Sequence, residues 1–125
     1  MGNVGGSIPV NQYHPYSLQQ MWVNYQKQNE FSPLHNHGGV YSFVIWMKIP
    51  TRHFEQNKNP IALRSNTHKI STFEFRYLNI LGQNLSHTYE MNPEMEGTIL
   101  FFPAKLMHCV YPFYNCDEDL SLIHI

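Results

Sequence analysis

His35 and His37 form a His-x-His pair, and a third histidine, His108, closes the distant segment Phe102-Pro103-Ala104-Lys105-Leu106-Met107-His108. On an extended chain side chains repeat every two residues, so both imidazoles of the pair face one way. Neutral imidazole is a ligand for iron, zinc, copper or nickel at physiological pH. Two ligands close in sequence and one far away is how a β-barrel assembles a metal site. Three protein ligands leave coordination positions for a substrate, a co-substrate or water. Gly38-Gly39 follows the pair directly and carries no side chain to crowd an approaching ligand. His14, His53, His68 and His87 lack a spaced partner in a strand context and read as ordinary surface or hydrogen-bonded histidines.

The elements that must position these residues belong to one small domain. The chain has 125 residues, a net charge of −1 and no run of basic side chains, which argues against a nucleic-acid backbone or an anionic membrane as partner. No apolar stretch is long enough to cross a bilayer, and neither a signal-peptide nor a myristoylation pattern opens the sequence. Two cysteines, Cys109 and Cys116, are too few for a disulfide framework and, with six methionines, suit a reducing cytoplasm.

Residues 1–16 are rich in Gly, Asn and Pro and read as an irregular lead-in. Leu18, Met21, Trp22 and Tyr25 fall at i, i+3, i+4 and i+7, and Ser17 offers an N-cap. This pattern predicts one N-terminal helix at about 17–29, ended by Ser32-Pro33. From Leu34 onward the signals are those of strands: 40–47, 72–79, 85–91, 98–103 and 109–113, with turns at Gly82-Gln83-Asn84, Asn92-Pro93 and Glu96-Gly97. The spacing is that of a mainly β sandwich or barrel. The polar stretch from Arg52 to Lys69 reads as a long loop, a candidate lid or substrate rim.

The segments His35–Trp46 and Glu96–Pro112 resemble the 2-oxoglutarate/iron(II)-dependent oxygenases common in marine phage genomes, distant relatives of prolyl 4-hydroxylases. The resemblance covers about 17–119. It implies a double-stranded β-helix, a jelly roll of cupin-like form, with the His-x-His ligands after the second core strand and the distal histidine at the start of the seventh. It implies that His35, His37 and His108 hold Fe(II), and that 2-oxoglutarate and dioxygen serve to hydroxylate an unknown substrate, a small molecule or a protein side chain. A phage-borne gene would place the protein in the host cytoplasm.

Two departures stand out. The usual ligand set is two histidines and one carboxylate, whereas this chain has His37 at the carboxylate position and no Asp before Asp117. A three-histidine set is that of cupin-type dioxygenases, and Gly97, Pro103 and His108 also resemble the second cupin motif. The second departure follows Asp117-Glu118-Asp119. There the family continues into a strand whose arginine grips the far carboxylate of 2-oxoglutarate in a bidentate pair. This chain reads Leu120-Ser121-Leu122-Ile123-His124-Ile125 instead, the in-frame translation of a transposase adapter end used in shotgun libraries. The expectation is therefore a non-native tail at 120–125, a missing last core strand and an exposed sheet edge. Sequencing the source gene across codon 120 decides the tail's origin.

Lys105 and Arg76 are the cations that could pair an acidic ligand, although solvated surface cations is the plainer description of both. Cys109, next to His108, must point to the opposite strand face as a small hydrophobe. Two other readings stand beside the oxygenase: a cupin-like three-histidine metalloprotein that does not use 2-oxoglutarate, and a non-enzymatic jelly-roll module with incidental histidines.

Overall fold

A computed structural model describes residues 15–124. The lead-in expected at 1–16 falls, as far as residue 14 and including His14, outside the described residues, as does Ile125. Eight strands run in chain order: β1 (Trp22–Gln26), β2 (Ser32–His35), β3 (Tyr41–Lys48), β4 (Thr72–Leu78), β5 (Asn84–Glu90), β6 (Ile99–Pro103), β7 (Met107–Val110) and β8 (Leu120–His124). They form two four-stranded antiparallel sheets, ordered β1-β8-β3-β6 and β2-β7-β4-β5. A single short helix, α1 (His53–Gln56), and a 3₁₀ turn at Pro93–Met95 complete the regular structure of the described residues.

Sequence and structure part company at both ends. The helix expected at 17–29 is absent; Trp22–Gln26 is a strand paired residue for residue with β8, from Trp22 against His124 to Gln26 against Leu120. Leu18, Met21 and Tyr25, which a helix would have buried on one stripe, are exposed. Sheet pairing satisfies the same backbone groups and turns Trp22, Asn24 and Gln26 inward instead, so tertiary pairing overrides a local 3.6-residue pattern. The expected loss of the last strand is likewise overturned: Leu120–His124 lies between β1 and β3 and pairs with both. Leu120, Leu122 and His124 face inward and Ser121 and Ile123 outward. That two-residue alternation is all the position requires, whatever the origin of the six residues.

The core fills the space between the sheets. Val44 and Trp46 from β3, Phe102 from β6 and Leu120 and Leu122 from β8 meet Phe73 and Phe75 from β4 and Val110 from β7. Trp46 is fully buried, stands edge-on to Phe73 and donates its indole N–H to Met91 Sδ at 3.3 Å. The stretch 52–69 is anchored rather than free. Arg52 pairs with Glu94, His53 N–H donates to Asn92, and Gln56 exchanges two bonds with the Tyr114 backbone.

The outer face of the second sheet carries one buried charge. Glu74 is fully buried and takes ion pairs from Lys69 and Arg76, a hydroxyl bond from Tyr111 and a weaker one from Thr88. Burial alone would push its carboxyl up, but the two cations outweigh burial and hold it below the usual carboxylate range. Glu74→Gln keeps the shape and removes the charge, leaving Lys69 and Arg76 to turn to solvent. The expected cost is about 1–2 kcal/mol, read as a lower midpoint in urea unfolding. An unchanged midpoint would mean that the cluster contributes nothing net.

Candidate metal centre

His35 ends β2 and lies in register opposite His108 of β7. The chain stays extended past the strand, and His37 N–H donates to the Ala104 carbonyl at 2.9 Å. That bond fixes the second histidine of the pair beside the first. Gly39, with φ +89, then turns the chain back into β3. The three histidines singled out by their spacing therefore meet. One nitrogen from each lies within 4.8 Å of the others, and among the described residues no Asp, Glu or Cys joins the group. Ring centroids are 5.0 Å apart for His35 and His37, 4.3 Å for His35 and His108, and 4.9 Å for His37 and His108.

The hydrogen bonds define which nitrogens are free. His35 Nδ1 contacts the Pro33 carbonyl at 2.6 Å and His108 Nδ1 contacts the Leu106 carbonyl at 2.9 Å. A carbonyl oxygen only accepts, so both Nδ1 atoms carry the proton and both Nε2 atoms present a lone pair. His37 Nε2 and His108 Nε2 stand 3.1 Å apart. Two ring nitrogens at that distance require a proton or a cation between them. Ligands at about 2.1 Å from one ion, in neighbouring octahedral positions, are about 3.0 Å apart, which is the spacing of the His37–His108 pair, and His35 completes the donors that a divalent metal would draw together. Backbone carbonyls that orient the ligand rings are the outer support such sites use.

Charge is disfavoured in this cluster. Burial, with the repulsion of His35 and His37, pushes His108 down to about 4 against the raising effect of its Leu106 bond. Burial and then His35 lower His37 as well. Both rings are therefore neutral near pH 7, the form a metal needs. His108 is fully buried, stacked at 5.6 Å on Phe73 and edge-on to Phe102. His35 and His37 are half-buried, so the centre opens on their side.

Two neighbours were not anticipated as part of the surroundings. Trp22 packs edge-on to His37 at 5.8 Å and flat on His124 at 5.6 Å. His124 lies 5.6 Å from His37 and 6.2 Å from His108, ring to ring, and its buried Nδ1 has no partner. Trp22 was hidden by its place in a helical pattern; the alternation Trp22, Asn24, Gln26 was the available signal. The other histidines are elsewhere. His53 bonds the Ile70 carbonyl, and His87 packs edge-on to Tyr89. Arg76 is tied to Glu74, and Lys105 lines a cavity of about 410 Å³ with Leu34, Arg76 and Leu78, so neither cation belongs to the histidine cluster.

A larger cavity, about 480 Å³, has His124 in its wall with Asn24, Gln26, Glu30, Ser32 and Leu122 among others, and none of the three converging histidines lines it. Its polar groups are amides, hydroxyls, the His124 imidazole and one carboxylate, with no lysine or arginine. Among the described residues no helix is long and apolar enough to cross a membrane.

The family described as "Putative 2OG-Fe(II) oxygenase" matches residues 20–123, a span that contains all three histidines. Comparison with curated proteins and with solved structures returns no match.

Proposed function

We infer, for a chain that belongs to this 2OG-Fe(II) oxygenase family, that it holds Fe(II) through His35, His37 and His108 and hydroxylates a small molecule or a protein side chain. The observation that carries the reading is the convergence of three imidazoles, two with tautomers set by backbone carbonyls. Bound iron would supply the activation of dioxygen, with 2-oxoglutarate as the electron-donating co-substrate. The protein's own part is positional. His108, locked in the aromatic core, fixes one ligand direction, while the half-buried pair leaves an open side for co-substrate and substrate. Trp22 and the core aromatics exclude water from the inner side of the centre. The two four-stranded sheets would then be the two sides of a double-stranded β-helix.

We assign 2-oxoglutarate to the cavity that has His124 in its wall, where its far carboxylate would meet amides, hydroxyls and the Glu30 carboxylate. Without an arginine there, that carboxylate is held weakly. The same observation favours a second reading, a cupin-like three-histidine metalloprotein that works without 2-oxoglutarate.

Aerobic incubation with iron(II) and 2-oxoglutarate tests the choice. Iron-dependent release of succinate, lost on addition of a chelator, is the expected result. A protein that binds stoichiometric iron but neither binds nor turns over 2-oxoglutarate is the second kind. A protein that binds no metal is neither, and its histidines are incidental to a jelly-roll module.

A further inference from the structure

The outer face of the β1-β8-β3-β6 sheet carries two apolar rows. Val23, Ile123, Ile45 and Ile99 lie in register in one row across all four strands. Phe43 lies opposite Phe101 in a second row, and Tyr41 stacks on the Phe101 ring at 4.9 Å. Tyr25 and Met47 extend the face. No charged side chain interrupts these rows; Lys48 at the end of β3 is turned to Glu118. Ile99 and Phe101 are 58% and 66% exposed. An antiparallel sheet with one solvated face ordinarily alternates apolar in and polar out, and these outward rows are apolar instead. A contiguous patch of that kind marks an interaction surface.

We propose that this face is the interface of a homodimer, two copies packing sheet on sheet about a two-fold axis. The two rows are uncharged and hydrophobic, so a second copy offers them the same chemistry and leaves no ion unpaired. Four strands about 4.8 Å apart and about five residues long give a footprint of about 300 Å². Side-chain relief raises this to roughly 500–600 Å² of accessible area per copy, which for two copies just reaches the size of a specific interface. The proposal does not depend on the metal or on the reaction, since the histidines lie inside the sandwich and these rows lie outside it.

Analytical ultracentrifugation of the full chain between about 1 and 100 µM gives the test, with concentrations chosen to bracket an interface of this size. The unaltered chain is expected to pass from monomer to dimer across that range. Phe101→Glu and Ile99→Lys, both at exposed positions, are expected to weaken the dimer at least tenfold. Leu78→Lys, exposed on the other sheet, should leave it unchanged. Carbene footprinting of the unaltered chain tests the same face without a variant, with labelling of Ile99 and Phe101 expected to fall as concentration rises and that of Leu78 to stay constant. A chain that remains monomeric throughout overturns the proposal, its face being covered by its own residues 1–14 or by a different protein. A dimer unaffected by either variant, or with constant labelling of Ile99 and Phe101, overturns it as well.

Discussion

Replacing His37 by alanine is expected to take the bound metal from near one equivalent per chain to a trace, with affinity reduced at least about 100-fold. His37 is the informative choice because it is half-buried and its ring contacts are with Trp22 and the neighbouring histidines, so its side chain can be removed without opening a large cavity. His108→Ala would remove a ligand too, but that ring is fully buried between Phe73 and Phe102, and the cavity would confound the measurement. The protein is loaded anaerobically with iron(II), or with cobalt(II) as a stable spectroscopic substitute, and the metal retained after desalting is measured by mass spectrometry. His124→Leu is the control. Its ring stands near the cluster but outside the group of converging nitrogens, and metal content should be unchanged. Full retention of metal by His37→Ala would sink the three-histidine centre.

Acidification of the metal-free protein should cost stability well above the pH at which carboxylates titrate. His108 and His124 are each pushed to about 4 by burial, His124 further by the three neighbouring histidines. In the unfolded chain both titrate near 6.5. Between those values the unfolded state binds more protons than the folded one, so stability rises with pH through this window. It is full above pH 6.5 and is lost progressively as pH falls toward about 4. For His108 alone the loss is about 3 kcal/mol over the window, and His124 acts in the same direction. Calorimetric melting temperatures of metal-free protein at pH 7, 6 and 5 should therefore decline, before Glu74, held low by its cations, begins to protonate. His108→Leu should flatten the decline. A melting temperature constant from pH 7 to 5 would show that the rings are not buried as neutral imidazoles.

The legibility of this chain follows from the range of the interactions involved. His35, His37 and His108 could be singled out because their spacing is a local statement, two residues on an extended segment, joined to a second motif of its own. The strands at 41–48, 72–78, 84–90 and 99–103 were close to legible for the same reason, being marked by β-branched and aromatic runs between turns. At the N-terminus local pattern misled. Leu18, Met21, Trp22 and Tyr25 satisfy a helical period, yet 22–26 pairs with 120–124, a partner nearly a chain length away. No window of neighbouring residues contains that information, because the hydrogen bonds that decide it are made across the sheet.

The sequence alone determined the donor types, their spacing and the mainly β character. Tertiary structure alone decided that the three imidazoles converge and that the Pro33 and Leu106 carbonyls set two of their tautomers. It also decided that Trp22 closes the centre and that Arg76 is committed to Glu74 on the far side of the sheet. The division has one physical cause. Ligand identity and strand alternation are properties of neighbouring residues. Burial, tautomer and pairing are fixed only when the two sheets bring distant strands into register.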